Sequence, residues 1–226
     1  FYKVKPNLIH LVTIKPILLG GIAARITNIP GVIVAISGLG YIFIDQGFVA
    51  SFRRFFVRVL YKVSLGHKNL RIICQNSNDL DEIQRATNVS NDSFSLIDGP
   101  GVALNKFIYV PDLNKIPKVM MASRLLKDKG VIEFAEAAAI LKGKNIDAEF
   151  ILVGDPDLDN PSSIKSSQVK QWEQKGILNC WGHIDNMQDI LSQASIVVLP
   201  SYREGFPKVL IEAAACGRAV ITTDVA

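Results

Sequence analysis

The chain has 226 residues, of which 49% are hydrophobic and 20% are charged, and its formal net charge is +4. This composition excludes an intrinsically disordered segment, a collagen-like repeat and an acidic activation segment, and it supplies enough apolar material for a sizeable core. Lysines and arginines are scattered along the chain instead of forming one stripe, so the charge does not favour a nucleic-acid-binding protein.

Nine short apolar runs predict buried strands, and helical patterns lie between most of them. The runs are residues 8–12, 32–36, 71–74, 94–97, 119–122, 150–153, 177–181, 196–199 and 219–222. Strands that alternate with helices are typical of parallel sheets with helices on both faces. We therefore predict an α/β fold built from doubly wound parallel sheets.

A cluster of turn residues divides the chain. Pro111, Asp112, Asn114 and Pro117 lie between periodic segments, which is typical of a linker. We predict a first domain over residues 1–110, a linker over 111–117 and a second domain over 118–226. Because the chain begins at Phe1 and stops directly after a predicted strand, we expect both domains to be truncated.

The uncharged residues 26–44 are long enough to cross a membrane. However, Pro30, Gly31, Gly38 and Gly40 interrupt this stretch, and a buried strand followed by a loop explains it better. The three cysteines are far apart and include no C-x-x-C pair, which argues against a disulfide framework and a zinc site. A reducing compartment fits this cysteine usage.

Residues 204–212 form the most informative segment, because a glycine turn here joins a predicted strand to the start of a helix. Free backbone N–H groups and the helix dipole at such a turn favour a phosphate or diphosphate. Glu204 lies in the turn and Glu212 lies on the helix, where a carboxylate can accept hydrogen bonds from sugar hydroxyls. A capped helix with two solvated acids explains the segment equally well.

A second charged turn follows the predicted strand at residues 119–122. Arg124 and Lys129 lie between this strand and the next helix, at the carboxyl edge of the predicted sheet. Ligands of open α/β sheets bind at that edge, and two cations there can neutralise a diphosphate. Taken alone, the turn could equally be an exposed charged loop.

Together these segments carry a family resemblance. The motifs, in chain order, are Arg124 with Lys129, Gly154-Asp155, Trp181-Gly182-His183, Leu199-Pro200-Ser201, and Glu204 with Glu212 in E-x7-E spacing. On these residues the chain strongly resembles the retaining glycosyltransferases of family four, which have the GT-B fold. The resemblance implies two Rossmann-like domains, of which the second holds the nucleotide of a nucleotide-sugar.

The resemblance also implies roles for individual residues. Arg124 and Lys129 match the family's diphosphate-binding pair, Glu212 matches the acid that binds the ribose hydroxyls, and Glu204 matches the acid that faces the donor sugar. Glu204, Arg124 and Lys129 are thus the implied catalytic residues. Further implied donor-binding positions are Cys180, Trp181, Gly182, Gly205, Phe206, Pro207, Lys208 and Val209. Because fixed cations can stabilise the charge that grows on the departing diphosphate, we expect neither a metal ion nor a cofactor.

The first domain resembles bacterial transferases that extend a sugar on a polyprenyl diphosphate. Residues 7–16 and 37–41 carry this likeness. The acceptor-side candidates are Thr13, Lys15, Ser37, Gly38 and Tyr41. A helix cap and a solvated surface charge are the alternative roles of Thr13 and Lys15. Two family features are absent, because no His occupies the stretch after Ser37 and Ala103 replaces the Asp of a Gly-Val-Asp motif.

Two further motifs, one rich in glycine and one in aspartate, are interpreted as structural and not as ligand-binding. The glycines of Gly99-Pro100-Gly101 predict a turn and nothing more. Asp155 and Asp157 have the D-x-D spacing of a metal motif found in a different transferase fold, but here they follow a predicted strand. We therefore interpret them as part of a polar loop.

Residues 51–65 predict a basic amphipathic helix. Arg53, Arg54, Arg58 and Lys62 recur mostly at four-residue spacing, and aromatic and aliphatic residues fill the remaining surface. Such a helix can lie on an anionic membrane, or it can be an ordinary helix packed on the sheet with a solvated cationic face.

The resemblance implies a retaining glycosyltransferase that moves a hexose or N-acetylhexosamine from a nucleotide-sugar, expected to be a UDP-sugar, to a polyprenyl-diphosphate-linked saccharide. The expected location is the cytoplasm, with peripheral contact at the inner face of the cell membrane. Alternatives are a nucleotide-sugar 2-epimerase of the same fold and a non-catalytic module that binds a sugar-nucleotide or a membrane. A nicotinamide oxidoreductase is a more distant alternative.

Overall fold

The structure, a computed structural model, describes residues 2–38, 48–157 and 159–225, with the backbone alone for residues 48–54. These residues form two compact units. The first contains the described residues up to Pro100 together with Glu204–Phe206, and the second contains Gly101–Arg203 with Pro207–Val225. Residues 111–117, the predicted linker, are grouped with the second unit. The bounds of the two domains and of the linker stay predictions.

The first unit contains a parallel four-stranded sheet with the order β1-β2-β3-β4. Its strands are β1 (Leu8–Val12), β2 (Gly31–Ile36), β3 (Leu70–Cys74) and β4 (Phe94–Leu96), and its helices are α1 (Ile14–Ile26), α2 (Phe48–Ser64) and α3 (Ser77–Ala86). The β-branched residues of β2 suit a strand whose two faces are both covered. Val34 and Ile72 are fully buried at the centre of this unit's core.

The second unit contains a parallel five-stranded sheet with the order β7-β6-β5-β8-β9. Its strands are β5 (Lys118–Ala122), β6 (Glu149–Val153), β7 (Asn179–Gly182), β8 (Ile196–Leu199) and β9 (Ala219–Thr222), and its helices are α4 (Val131–Gly143), α5 (Ser166–Gln174), α6 (Met187–Leu191) and α7 (Lys208–Ala215). Met120, Ile151 and Val197 are fully buried on the three central strands, and each such side chain stabilises the fold by about 1.5–3 kcal/mol.

The order of the second sheet creates a switch point. From β5 the chain adds β6 and β7 on one side, and then β8 and β9 on the other side of β5. The connections therefore leave the carboxyl ends of β5 and β8 in opposite directions, which opens a crevice between them. Ligands of open α/β sheets bind at such a crevice.

The structure confirms the predicted fold class. Each of the nine predicted strands is present, and every pairing between them is parallel. Within the uncharged stretch 26–44, β2 is the predicted buried strand, and residues 39–44 lie outside the described residues. Across the described residues, no helix is both long and apolar enough to cross a membrane.

Candidate active site

A cavity of about 410 Å³ lies at the carboxyl end of the second sheet. Loops after β5, β6 and β7 supply most of its lining, and helix α7 supplies the rest. The lining residues are Ala122, Ser123, Arg124, Val153, Gly154, Asp155, His183, Ile184, Asp185, Met187, Val209 and Glu212. The cavity therefore brings together three predicted donor-binding residues: Arg124, Val209 and Glu212.

Backbone hydrogen bonds join the loops that form this cavity. Ser123 N donates to Val153 O (3.1 Å), Leu125 N donates to Asp155 O (3.4 Å), and Gly154 N donates to Gly182 O (2.8 Å). Because main-chain groups make these bonds, the loop geometry does not depend on any charged side chain. These three bonds hold the loops around the cavity without using its charged side chains.

Arg124 is the cation of the cavity lining. Its side chain is 67% exposed and forms an ion pair with Asp157, in which Nη1 lies 3.9 Å from Oδ2. An ion pair that long and that exposed contributes little to stability. The guanidinium can therefore exchange this contact for a bidentate pair of hydrogen bonds with a phosphate at little cost.

Glu212 is the buried acid of the cavity. Its side chain is 7% exposed, and Lys208 Nζ lies 3.0 Å from Glu212 Oε1 one helical turn earlier. An ion pair at this spacing stabilises a helix by about 0.5 kcal/mol or less. Lys208 thus lies where its ammonium group neutralises the Glu212 carboxylate, and its contact with the donor stays a prediction.

Lys129 lies in a single 3-10 turn, Lys127–Lys129, directly before helix α4. It is not among the described residues that line the cavity. Its turn is joined to the loop after β8, because Tyr202 N donates to Asp128 O (2.9 Å). The position of Lys129 is therefore coupled to the segment that leads into Glu204.

Strand β7 contains Cys180, Trp181 and Gly182, which the sequence predicts beside the nucleobase. Cys180 and Trp181 are half-buried and pack against the second core. Burial and then the charge of Glu173 raise the pKa of the Cys180 thiol to about 11. This thiol is therefore protonated at neutral pH and acts as a small apolar group.

The turn Glu204–Phe206 is grouped with the first unit. Asn76 Nδ2 donates to Gly205 O (2.9 Å), and a Cβ at position 205 would collide with the carbonyl oxygen of Ser37. Only glycine allows this close approach, so the predicted residues Ser37 and Gly205 are neighbours. The next residue, Pro207, belongs to the second unit and occupies the N-cap position of helix α7, where its side chain makes no hydrogen bond.

The other predicted residues of the first unit have different outcomes. Thr13 precedes helix α1 with φ at 69°, and its side chain makes no capping hydrogen bond, so the alternative role as a cap is wrong. Lys15 is exposed. Gly38 has φ at 129°, a conformation that favours glycine. Tyr41 lies outside the described residues.

The structure corrects two plainer interpretations. Gly99 does more than form a turn, because the ring of Phe206 packs directly against it. Asp155 does more than occupy a polar loop, because it lines the cavity beside His183. In the part of the chain that the structure describes, no three His, Cys, Asp or Glu side chains gather as metal ligands would.

Sequence reasoning also missed residues that the structure places in these regions. Asn76 caps helix α3 and bonds Gly205, while Asp185 and Met187 line the cavity. A signal for these residues was available, because each follows within a few positions of a strand's carboxyl end. That edge of a parallel sheet forms the ligand crevice.

Solved structures with similar coordinates have the GT-B glycosyltransferase fold. Alr3699/HepE from Anabaena, in complex with UDP and glucose, matches with a TM-score of 0.77 at 18% identity, over 97% of this chain and 59% of that one. WaaG, a glycosyltransferase of lipopolysaccharide biosynthesis, matches with a TM-score of 0.69 at 15% identity, over 90% of this chain and 62% of that one. The two units therefore have the architecture of GT-B enzymes.

Family models and curated relatives agree with this class. A model described as glycosyl transferase 4-like matches residues 1–76, and one described as glycosyl transferases group 1 matches residues 116–226. The chain thus contains a glycosyl transferase 4-like segment and, after it, a glycosyl transferases group 1 domain.

Two curated relatives have defined activities. The N,N'-diacetylbacillosaminyl-diphospho-undecaprenol alpha-1,3-N-acetylgalactosaminyltransferase of Campylobacter jejuni is 36% identical over 91% of this chain and 55% of its own length. The UDP-Gal:alpha-D-GlcNAc-diphosphoundecaprenol alpha-1,3-galactosyltransferase of Escherichia coli is 28% identical over 99% of this chain and 59% of its own length. The chain thus spans little more than half the length of these relatives.

Proposed function

We propose that the protein is a retaining glycosyltransferase that moves a hexose or N-acetylhexosamine from a UDP-sugar to a polyprenyl-diphosphate-linked saccharide in surface polysaccharide synthesis. The observation that carries the proposal is that Arg124 and the buried Glu212 line the same cavity, at the switch point of the second sheet. The curated relatives act on undecaprenyl-diphosphate-linked sugars, which supports the acceptor class.

Each charged residue of the cavity has a chemical task in this proposal. Glu212 accepts hydrogen bonds from the ribose hydroxyls of the donor, and its burial strengthens those bonds. Arg124 binds the diphosphate and stabilises the negative charge that develops there as the bond to the sugar breaks. Lys129 supplies a second positive charge from the neighbouring turn. With two fixed cations for the leaving group, we propose a reaction without a metal ion or cofactor.

We further propose that the protein works at the inner face of the cytoplasmic membrane, with helix α2 in contact with anionic lipid. Helix α2 exposes one large apolar set: Phe55, Phe56, Val59, Leu60 and Val63. Exposed apolar area of this extent on one helix is typical of an interaction surface. The basic stripe is weaker than the sequence indicates, because Arg58 is paired with Glu82 at 2.6 Å. The side chains of Arg53 and Arg54 lie outside the described part of the helix.

The test is UDP release by the longest reading frame that contains this chain. A panel of UDP-sugars is offered with and without a polyprenyl-diphosphate-linked acceptor, and with and without EDTA. Acceptor-dependent release that survives EDTA is expected. Acceptor-independent turnover would point to a 2-epimerase of the same fold, and binding of UDP without turnover would point to a non-catalytic module.

A further inference from the structure

Two loops of the second unit are interlocked by their backbones. The turn Lys127–Lys129 follows β5, and residues 200–203 follow β8. Tyr202 N donates to Asp128 O (2.9 Å), and a Cβ at Gly130, where φ is 76°, would collide with the carbonyl oxygen of Pro200. The two strands flank the switch point of the sheet, so these loops form the two sides of its crevice.

A side-chain pair adds a second connection between the same loops. Tyr202 Oη donates to Glu133 Oε1 at 2.5 Å, and Glu133 lies in the first turn of helix α4. A hydroxyl that donates to a carboxylate at this distance makes a short, charge-assisted hydrogen bond. Consistent with that bond, the hydrogen bond to Glu133 and then its negative charge raise the pKa of the Tyr202 hydroxyl.

The Glu133 carboxylate depends on this partner. Its other oxygen, Oε2, is buried and has no hydrogen-bond partner among the described residues. A buried carboxylate oxygen without a partner is costly, and such groups in folded proteins generally have a reason to persist. Removal of the Tyr202 hydroxyl would leave both oxygens without a donor, and the first turn of α4 would then lose its connection to the loop after β8.

We propose that Tyr202 and Glu133 are positioning residues that fix the turn Lys127–Lys129 against the loop after β8. The inference rests on the proposed function, in which Lys129 binds the donor diphosphate. Tyr202 itself stands two residues before Glu204 in the chain. The side-chain hydrogen bond therefore reinforces the backbone contacts between the turn that carries the proposed diphosphate cation and the segment that leads into the donor-sugar acid. A misplacement of such groups by about 1 Å can reduce a rate by about 100-fold.

The experiment compares Tyr202→Phe and Glu133→Gln in the longest reading frame that contains this chain. Tyr202→Phe removes only the hydroxyl and keeps the backbone bond to Asp128. We expect UDP affinity and kcat/KM for the UDP-sugar to fall about tenfold, while the melting temperature falls by only a few degrees. Glu133→Gln keeps an acceptor oxygen but removes the charge, so its loss should be smaller. The matched control is Tyr109→Phe, an exposed tyrosine of the same unit that packs beside Gly217.

Two further readouts separate positioning from general stability. Amide exchange of the peptide that covers residues 126–131 should accelerate in Tyr202→Phe but not in Tyr109→Phe. The double variant of Tyr202 and Glu133 should lose no more UDP affinity than Tyr202→Phe alone, because both changes act on the same bond, which Tyr202→Phe already removes. Unchanged exchange, or additive losses in the double variant, would overturn the proposal.

Failure of the proposed function gives a different pattern. A wild-type protein that neither binds UDP nor releases it from any UDP-sugar contradicts the glycosyltransferase proposal. The exchange measurement still decides in that case whether the pair joins the two loops, because it requires no donor.

Discussion

The two units place different chemistry at the carboxyl ends of their sheets. In the second unit, loops after three strands and helix α7 bring Arg124, Asp155, His183 and Glu212 to one cavity. In the first unit, the residues directly after β1, β2 and β3 are Thr13, Ser37 and Gln75. The cavity of the second unit thus offers several charged side chains to a ligand, while the residues directly after three strands of the first unit are neutral, with exposed Lys15 two positions after Thr13.

This difference indicates a division of tasks. A diphosphate requires fixed positive charge, and its binding is therefore sensitive to single charged residues of the second unit. In the first unit, Asn76 and Ser37 contact the backbone of Gly205, so we expect this unit to contribute through the placement of the turn Glu204–Phe206. It also exposes the apolar face of helix α2. Changes in the first unit should alter positioning and membrane affinity more than the binding of charge.

The largest effect is expected for Arg124→Ala, which tests whether the second unit binds the diphosphate through charged side chains. Loss of one group that stabilises developing negative charge reduces kcat by about 100- to 1,000-fold in well-characterised enzymes. We expect a loss in that range, measured as acceptor-dependent UDP release. The fold should survive, because the ion pair between Arg124 and Asp157 is exposed and long, at 3.9 Å.

The matched control is Arg85→Ala in the first unit. Arg85 is also exposed and also has one long ion pair, with Asp81 at 3.8 Å. Activity of Arg85→Ala should remain within about twofold of wild type, since exposed pairs of this kind contribute little. Equal losses in the two variants would mean that the cavity of the second unit does not bind the diphosphate.

The apolar face of helix α2 provides the second test. Phe55 and Phe56 are 63% and 51% exposed, and their rings contact each other edge to face. Replacement of both by Ser removes apolar area from the proposed membrane contact, so sedimentation with anionic liposomes should fall at least tenfold. Leu113→Ser is the control, because Leu113 is 87% exposed in the second unit. Unchanged sedimentation of the double variant would remove the membrane proposal.

The strands and the second-unit motifs could be predicted from the sequence because local signals determine them. Apolar runs such as that of β2 have the composition of strands covered on both faces, and the order of strands and helices then requires parallel sheets. Arg124 and Glu212 are local signals of the same kind, because Arg124 follows β5 closely and Glu212 lies one turn into the helix after β8.

The remaining features depend on contacts between distant parts of the chain. Asn76 and Gly205 are separated by 129 positions, and nothing in either local sequence indicates their hydrogen bond. Tyr202 and Glu133 are separated by 69 positions and are equally invisible to periodicity. The strength of the basic stripe on α2 was overestimated for a related reason, since its ion-pair partner Glu82 lies on a different helix.

Asn76→Ala tests whether the first unit contributes by holding the turn Glu204–Phe206 in place. Asn76 Oδ1 accepts from Asp79 N (2.7 Å), while Nδ2 donates to Asp79 Oδ2 (3.0 Å) and to Gly205 O (2.9 Å). The variant frees the turn that carries Glu204 and also removes a helix cap, which costs about 1 kcal/mol. We expect kcat to fall about tenfold while UDP affinity changes little. Asn69→Ala, which removes one bond to Pro30 O (3.0 Å), is the control and should leave kcat unchanged.

The smallest effect concerns the pH dependence of stability, and it distinguishes the interiors of the two units. Cys74 is fully buried on β3, where burial and then the charge of Asp79 raise the pKa of its thiol to about 12. In the unfolded chain this thiol ionises near pH 8.5, so between about pH 8.5 and 12 the unfolded state binds fewer protons than the folded state. The free energy of unfolding should therefore be undiminished below about pH 8.5 and fall by at most about 1.4 kcal/mol per pH unit above it.

Burial also raises the pKa of Tyr61, which adds to this decline at higher pH. Cys74→Ala should lower the free energy of unfolding by an amount that does not depend on pH, because the cavity it leaves has no ionisable group. The decline of that free energy above about pH 8.5 should become shallower, because the thiol is gone. The two tryptophans, Trp172 and Trp181, both belong to the second unit, so a change in their fluorescence during urea unfolding reports the second unit. A loss of circular dichroism signal that occurs without a change in fluorescence reports the first unit. Cys180→Ala should flatten the fluorescence-detected decline over a narrower range, up to about pH 11. If the free energy of unfolding of Cys74→Ala fell with pH as steeply as that of wild type, the pKa of the Cys74 thiol would not be raised in the folded protein. Water would then reach this thiol, and the interior of the first unit would be more accessible to solvent than that of the second.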